Sequence, residues 1–508
     1  MNIQISQSSF IHPILFAFFP ILFLYSTNFS FVNFDDLFYS SLLLVGTSII
    51  SWFILKFLFK NSKKSSISLT LSIILFFSYG HIQKTLTSYD FDVGNKILVP
   101  IFIIFFIIVT IIIIKRNSNF NNWTKIINGI AFTIILISFV NFINFNDYEN
   151  QTLIETTQQE LFSITDNPPN VFYIILDAYG GQQALQEFYN FDNSEFLNQL
   201  NERNFKIIDN SKSNYAFTFL SLPASLNMKY LDNYEKNELG NNMELTYDMI
   251  PDNQVMRNFK NMDYQIVTVS SGWGTTRNFE LSDISYCGTF NLIDSSQILV
   301  SILDNSILKS VYTKLFSDDR REKILCQFDR IPKSMENSDK PIFLFAHVMA
   351  PHKPYLFGPN GESLTTNTLD VGGSTTERNF NYIKQLQFTN KKTLELIDTI
   401  FKNSNELPII IIQSDHGSEF PSNAIDYVAM NEKMHNFSTF YLPHGGESIL
   451  YEGVTPVNSF RLIFNYYFNG NYEILEDKSY WSKSNPFSDD GYPEFIDVTD
   501  ELKLPLSD

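Results

Sequence analysis

The chain of 508 residues is too long for one small core, and its formal net charge of −18 excludes nucleic-acid binding through bulk positive charge. The charge is unevenly spread. The first 150 residues carry nine Lys and Arg against six Asp and Glu, whereas the remainder has a net charge of −21. We therefore expect two parts in different environments.

Five apolar segments fill residues 1–145, and most approach the roughly 20 residues that span a bilayer. They cover residues 10–25, 37–59, 67–82, 97–114 and 126–143. A cleaved signal peptide is the alternative for the first segment, but no basic residue precedes it and no small-residue cleavage site follows it. The pattern predicts a transmembrane domain of five helices.

Basic residues predict the orientation of these helices. Three lysines (Lys60, Lys63, Lys64) flank the second loop, and three basic residues (Lys115, Arg116, Lys125) flank the fourth. The positive-inside rule places both loops in the cytoplasm, so everything after about residue 144 lies outside a plasma (inner) membrane. An outside domain permits a disulfide between Cys287 and Cys326, the only two cysteines, although two buried free thiols are the alternative.

The part after the helices has the pattern of an α/β domain. A polar linker, 146–169, ends at two prolines, and the domain then covers 170–508. Strands are predicted at 171–176, 205–208, 264–269, 341–346 and 409–413, with helical patterns at 182–203 and 379–402 between them. The four isoleucines after Pro408 are typical of a strand buried on both faces. We expect an α/β sandwich with a mostly parallel sheet.

Polar groups follow several predicted strands. Asp177, His352 and the pair Asp415 and His416 each lie at or just beyond a strand end. Because parallel strands present their carboxyl ends at one edge, these side chains are expected to meet there, although a helix N-cap is the alternative role for each aspartate. A mixed oxygen and nitrogen set suits zinc or manganese, and a Thr218 oxygen could complete a four-coordinate site.

Two further segments carry candidate functional side chains. Residues 214–227 resemble a loop running into a helix, where a hydroxyl could serve as an N-cap or, near the free N–H groups, as a nucleophile. Residues 270–277 form a glycine-rich loop with Trp273 and Arg277. Arg277 could clamp a phosphoryl oxygen, and a surface ion pair is its alternative role.

Three motifs resemble those of the membrane-anchored phosphoethanolamine transferases and lipoteichoic acid synthases of the alkaline phosphatase/sulfatase superfamily. They are Thr218-x-x-Ser221-x-Pro223, the pair His347 and His352 with four residues between them, and Asp415-His416-Gly417. The resemblance implies a nucleophilic Thr218 and one divalent ion, zinc or manganese, held by Asp177, Thr218, Asp415 and His416. It also implies substrate contacts by His352, His347, Arg277 and Trp273.

The same resemblance implies a transferase that moves a phospho-head group from a membrane lipid donor to a cell-envelope glycan or lipid. Asp177 stands where these transferases usually have Glu, and neither cysteine has the Cys-x-Pro-x-Arg setting of sulfatases. The candidates for a further histidine of the family are His435 and His444. A membrane-tethered phosphatase, phosphodiesterase or sulfuric-ester hydrolase is one alternative function, and an inactive scaffold or sensor is another.

Overall fold

The computed structural model describes residues 10–27, 34–88, 94–117, 120–146, 162, 167–232, 244–288, 296–336, 338–364, 375–418, 426–482 and 495–505. The chain divides into two units. The first combines Met1–Ile154 with Thr289–Phe316, and the second combines Glu155–Gly288 with Ser317–Asp508. Most of the predicted linker lies outside the described residues. The sequence analysis did not indicate that residues 289–316 belong with the amino-terminal helices.

Five apolar helices form the amino-terminal part of the first unit, at the positions predicted from the sequence. Four of them are long and apolar enough to cross a membrane, whereas the first is shorter, with 17 residues. They are α1 (Ile11–Thr27), α2 (Phe34–Phe59), α3 (Ser62–Ser88), α4 (Asn95–Lys115) and α5 (Asn121–Asn146). Large apolar side chains on their surfaces are exposed, as expected where lipid would replace water.

Basic side chains gather at one end of this bundle. The ammonium of Lys64, in the first turn of α3, donates to the carbonyl of Ile114 at the end of α4 over 2.6 Å. Lys63 donates to the side chain of Asn121, the first residue of α5. The amino termini of α3 and α5 and the carboxyl terminus of α4 therefore share the basic end.

Residues from the segment 289–316 pack at the other end of the bundle. This segment contains α11 (Gln297–Asp304), and Ser296 just before it lies 3.0 Å from Ser40 near the start of α2, measured between the hydroxyl oxygens. The carbonyl of Asn305 accepts a hydrogen bond from the backbone N–H of Gly80 over 2.9 Å. A Cβ at Gly80 would lie 2.5 Å from that carbonyl oxygen, so this close approach requires glycine.

A seven-stranded sheet forms the centre of the second unit, in the order β2-β7-β6-β1-β5-β3-β4. The five strands from β6 to β4 are parallel, and β7 runs antiparallel to its neighbours. The strands are β1 (Val171–Leu176), β2 (Lys206–Ile207), β3 (Gln265–Val269), β4 (Ile284–Tyr286), β5 (Ile342–Val348), β6 (Ile409–Gln413) and β7 (Ser438–Tyr441). The predicted α/β domain with a mostly parallel sheet is confirmed.

Side chains of the central strands alternate between two apolar layers. In β1, Phe172 and Ile174 face one layer and Val171 and Tyr173 face the other. Both layers are covered by helices, which explains why β1, β5 and β6 have buried residues throughout rather than an alternating pattern.

The helices of the first layer are α6 (Gln182–Tyr189), α7 (Ser194–Glu202), α12 (Lys309–Arg330) and α13 (Thr375–Asn403). Those of the second are α8 (Thr218–Asn227), α10 (Gln254–Asn261) and α15 (Pro456–Phe468), and the shorter helices are α9 (Glu244–Asp248) and α14 (Asp426–Met434). The single helix expected at 182–203 is two helices, because Asn190 ends α6 in the left-handed region with φ +49°.

A disulfide joins Cys287, just after β4, to Cys326 in α12. It is formed within the second unit, and it brackets the segment Thr289–Phe316 that packs with the first. Of the two alternatives for the cysteines, the disulfide is therefore the one observed.

The carboxyl-terminal part, for which the sequence suggested no role, supports α8. The guanidinium of Arg461 in α15 donates to the carbonyl of Met228, the residue that ends α8, over 2.8 Å, and to the carbonyl of Glu473 over 2.6 Å. Beyond α15, β8 (Tyr480–Ser482) pairs with β9 (Phe495–Asp497). This part of the chain therefore provides a hydrogen-bond donor for the carboxyl-terminal end of α8, the helix that carries Thr218.

Candidate metal centre and nucleophile

Three adjacent parallel strands bring the candidate ligands to one edge of the sheet. The register pairs Leu176 of β1 with Val348 of β5, so that Asp177 follows the strand beside His347. On the other side, β6 ends level with Ile175 at Gln413, and Asp415 and His416 come just after it. The expected convergence of Asp177, Asp415 and His416 is therefore present, and the register adds His347.

The distances within this group are short. Nε2 of His347 lies 3.3 Å from Oδ2 of Asp177. Nε2 of His416 lies 3.9 Å from Oδ1 of Asp177 and 3.5 Å from Oδ2 of Asp415. One ligand atom each from Asp177, His347 and Asp415 can be chosen so that all three lie within 4.8 Å of one another. All four side chains are almost completely buried.

Hydrogen bonds show which of these buried atoms carry protons and which lack a partner. Nδ1 of His416 lies 2.7 Å from the carbonyl of Gly417, which can only accept, so Nδ1 carries the proton and a neutral ring directs the Nε2 lone pair at the carboxylates. Among the described residues, Oδ1 of Asp177 and Nε2 of His347 have no hydrogen-bond partner. Buried acceptors without donors are costly, and a divalent cation would satisfy them together. The residues therefore fit zinc or manganese.

The pKa of Asp177 is set by burial and by the imidazoles around it. Burial raises the pKa of this carboxyl, whereas the charges of His352, His347 and His416, when these rings are protonated, lower it to about 2. Asp177 is therefore ionised at neutral pH, as a metal ligand must be.

The turn after Asp177 is held by side chains from two other parts of the chain, the loop after β6 and helix α13. Ala178 adopts φ +58°, a left-handed conformation that costs about 1 kcal/mol for a residue with a Cβ. Its N–H donates to Oδ1 of Asp415 over 3.1 Å, and its carbonyl accepts from the hydroxyl of Tyr382 over 2.9 Å. The N–H of Tyr179 donates to the hydroxyl of Ser414 over 2.8 Å. These bonds fix the direction in which Asp177 leaves its strand.

Thr218 is the first residue of α8, and its hydroxyl faces the candidate ligands. Its Oγ1 donates to Oδ2 of Asp415 over 2.6 Å and lies 3.5 Å from Nε2 of His416. Phe217 is the N-cap and provides no side-chain cap, so the N–H groups of the first turn are not blocked by one. A helix amino terminus beside a hydroxyl suits an anionic group such as a phosphoryl group.

Ser221, the other hydroxyl residue of the Thr218-x-x-Ser221-x-Pro223 motif, has a different hydrogen-bond partner. It is buried, and its Oγ donates to the backbone carbonyl of Asp415. The N-cap role that a hydroxyl in residues 214–227 could have is therefore not the role of Ser221. The Ser221 hydroxyl instead joins α8 to the loop that carries Asp415 and His416.

The other predicted site residues lie around this centre. The N–H of His352 donates to the carbonyl of Asp177 over 3.0 Å, and Nδ1 of its partly exposed ring donates to the carbonyl of Lys353. The Trp273 ring packs edge-on against His347 with 5.8 Å between the ring centroids. The Arg277 guanidinium lies 3.5 Å from the carbonyl of Gly272 in its own loop.

Sequence reasoning missed several residues that shape the site. Thr276 contacts Nδ1 of His347 over 3.0 Å, and Tyr382 and Ser414 hold the turn after Asp177. A row of stacked rings also passes Thr218, in which the Phe219 ring lies between those of Phe217 and Tyr247 with centroid distances of 5.5 Å to each. Isolated Thr, Tyr and Ser residues carry no local signal that distinguishes these positions.

Comparisons with known proteins find likeness in structure only. No family model and no curated protein matches the sequence. The zinc complex of the periplasmic domain of EptC from Escherichia coli is 14% identical with a TM-score of 0.44, and the match covers 68% of this chain and 96% of that one. The integral membrane lipooligosaccharide phosphoethanolamine transferase A from Neisseria meningitidis is 14% identical with a TM-score of 0.45, covering 87% and 94%.

A protein of glycosaminoglycan metabolism from Bacteroides thetaiotaomicron is 11% identical with a TM-score of 0.39, and the match covers 65% of this chain and 84% of that one. Phosphoethanolamine transferases are among the solved structures that this chain resembles, at 13–14% identity.

Proposed function

We propose that the protein is a metal-dependent, membrane-anchored transferase that moves a phospho-head group from a lipid donor to a cell-envelope glycan or lipid through a covalent Thr218 intermediate. The observation that carries the proposal is the position of the Thr218 hydroxyl. It lies at an uncapped helix amino terminus, within hydrogen-bond distance of Asp415, where two carboxylates and two imidazoles converge.

Asp177, Asp415 and His416, three of the four predicted ligands, would hold one divalent ion together with His347. His347 was expected to contact substrate, and Thr218, the fourth predicted ligand, has the role of nucleophile in this proposal. When bound, the ion would lower the pKa of the Thr218 hydroxyl and offset negative charge on the phosphoryl group. Oδ2 of Asp415 accepts the hydrogen bond of that hydroxyl and is the atom placed to receive its proton. The N–H groups of the first turn of α8 would bind the phosphoryl oxygens.

In the first half-reaction, the bond from Thr218 Oγ1 to phosphorus forms and the bond from phosphorus to the lipid oxygen breaks. The departing oxygen needs a proton, and His352 is the candidate donor. Its Nδ1 is bonded to the carbonyl of Lys353, so Nε2 is the ring atom that would act on substrate. In the second half-reaction, an acceptor hydroxyl gives its proton to Nε2 of His352 and attacks phosphorus. The bond from phosphorus to Thr218 Oγ1 breaks, and Thr218 takes back its proton from Asp415.

The bundle supports a lipid donor and an outside location for the site. Basic residues gather at one end of the helices, and residues 296–305 pack at the opposite end. Positive-inside orientation would place the basic end in the cytoplasm and residues 296–305 outside. The neighbouring parts of the chain, with the catalytic site, would then lie on the outer side of the membrane.

Mass spectrometry of Thr218 tests the proposal. The purified full chain in detergent, loaded with zinc or manganese, is incubated with a phosphoethanolamine or phosphoglycerol lipid and no acceptor. A stable adduct on the peptide that contains Thr218 supports a transferase. Rapid multiple turnover of the lipid or of a chromogenic phosphodiester without acceptor would show a hydrolase with the same site. A chain that binds neither metal nor lipid would contradict both.

A further inference from the structure

The Thr276 hydroxyl sits at the centre of a closed set of hydrogen bonds next to His347. Thr276 is completely buried in the short 3-10 turn Gly274–Thr276. Its Oγ1 lies 2.6 Å from the hydroxyl of Ser271, 3.0 Å from Nδ1 of His347 and 3.0 Å from the carbonyl of Trp273. The N–H of Trp273 in turn donates to the hydroxyl of Ser271 over 2.8 Å.

Counting protons in this set assigns the direction of each bond. The carbonyl of Trp273 accepts from the backbone N–H of Thr276 and, with its second lone pair, from the Thr276 hydroxyl, over 3.0 Å each. Thr276 Oγ1 must then accept from both remaining neighbours, the Ser271 hydroxyl and Nδ1 of His347. Under this assignment His347 carries its proton on Nδ1, and the Nε2 of a neutral ring is a lone pair.

The opposite tautomer leaves a buried donor unsatisfied. It would place the proton on Nε2, which lies 3.3 Å from Oδ2 of Asp177 but without the alignment of a hydrogen bond. His347 itself has no exposed surface, so water cannot replace the missing acceptor. Both observations favour the proton on Nδ1.

We propose that Thr276 is a positioning residue which accepts the Nδ1 proton of His347, keeps Nε2 as a lone pair, and so makes His347 a ligand of the divalent ion beside Asp177. This inference rests on the metal site of the proposed function. Groups that hold the outer nitrogen of a ligating histidine typically change metal affinity by about 10- to 100-fold when they are removed.

Zinc affinity of the full chain, measured by competition with a chelator in detergent, tests the inference. Thr276→Val removes the hydroxyl with little change of shape and should weaken zinc binding by about 10- to 100-fold. Thr276→Ser keeps the hydroxyl and should restore affinity to within about threefold of the wild type. Thr275 lies in the same turn and its hydroxyl has no hydrogen-bond partner among the described residues, so Thr275→Val is the matched control and should leave affinity unchanged.

A double-mutant cycle separates positioning from general damage. If Thr276 acts through His347, the double variant with Thr276→Val and His347→Gln should bind zinc as His347→Gln alone does. Losses that add, or a Thr276→Val protein with wild-type affinity, would overturn the inference. Equal melting temperatures of the metal-free Thr276→Val and Thr275→Val proteins would exclude misfolding as the cause of a loss of zinc affinity. A lower melting temperature of Thr276→Val, together with additive losses of affinity, would count against positioning.

The tautomer can be measured without any activity. Nitrogen-15 NMR of histidine rings in the metal-free chain, with the His347 signals identified by their absence in His347→Gln, should show the proton on Nδ1 in the wild type and a mixture of tautomers in Thr276→Val. A proton on Nε2 in the wild type would contradict the inference. If these results hold and no Thr218 adduct forms, the transferase proposal fails while the positioning role stands.

Discussion

Thr218 donates its hydroxyl proton to Asp415 over 2.6 Å, and Asp415 binds α8 and the turn after Asp177 at the same time. Its Oδ2 accepts from Thr218, its Oδ1 accepts from the N–H of Ala178, and its backbone carbonyl accepts from Ser221. One residue therefore connects the candidate nucleophile to both loops that carry ligands. Substitution of Asp415 should therefore affect metal binding, whereas substitution of Thr218 should affect the transfer reaction.

Thr218→Ala should abolish transfer and leave no phosphorylated intermediate, because no oxygen remains to attack. Thr218→Ser keeps the hydroxyl and should retain part of the rate. Ser221→Ala is the control: it loses one buried hydrogen bond and should cost about 1 kcal/mol of stability while the adduct still forms. Peptide mass spectrometry after incubation with lipid donor decides between them. An adduct in Thr218→Ala that is absent from Ser221→Ala would make Ser221 the nucleophile.

Asp415→Ala should remove both bound metal and activity. It takes away one of two carboxylates and leaves the N–H of Ala178 and the hydroxyl of Thr218 without their acceptor. Metal content of the purified protein by mass spectrometry is the measurement, with Asp398→Ala as a matched control on an exposed carboxylate that pairs with Arg203. Stoichiometric metal in Asp415→Ala would show that the ligand set is wrong.

His352→Ala should keep the metal and lose rate. Its backbone bond to Asp177 does not involve the side chain, so the ligands remain in place while the candidate proton donor is lost. General acid catalysis typically contributes about 10²- to 10⁴-fold, which sets the expected loss in kcat. Steady-state rates and zinc affinity are measured on the same preparation. A variant with reduced metal and unreduced rate per bound ion would assign His352 to the ligands instead.

His435 should make the metal-free fold less stable as the pH falls. Its ring is buried, which lowers the pKa from 6.5 to about 4, and Nδ1 donates to the carbonyl of Asn431 over 2.7 Å. Below pH 6.5 the unfolded chain binds a proton at His435, whereas the folded chain does not bind it until about pH 4. The associated stability is therefore present above pH 6.5 and is lost between pH 6.5 and 4, by about 3 kcal/mol.

The contribution of His435 is measured by comparing how the free energy of unfolding depends on pH in the wild type and in His435→Asn. Chemical unfolding in detergent with a metal chelator, at pH 4.5 and 6.5, provides the free energies. Groups common to both proteins cancel, so the variant should lose less stability between the two pH values. Identical losses in both proteins would show that His435 is protonated to the same extent in the folded and unfolded chains.

The orientation of the chain can be tested with protease on intact spheroplasts. If the basic end of the bundle is cytoplasmic, cleavage should release a fragment of about the size of residues 150–508. A tag on the amino terminus should stay protected until the membrane is broken. Protection of the large fragment together with loss of the tag would mean that the topology is inverted.

The sequence by itself determined the elements whose signals are local. The apolar lengths predicted the five amino-terminal helices, and the isoleucine run before Gln413 predicted β6, because a strand covered on both faces excludes polar residues from every position. Asp177, Asp415 and His416 could be placed at one edge for the same reason, since parallel strands end together.

Only the tertiary structure decided which side chains meet across those ends. The register of β1 on β5 sets His347 beside Asp177, the left-handed Ala178 turns Asp177 toward Asp415, and Ser221 bonds the carbonyl of Asp415 rather than the amides of its own helix. It also decided that residues 296–305 pack with the amino-terminal helices. These outcomes depend on contacts between residues distant in the chain, and local sequence preferences do not encode them.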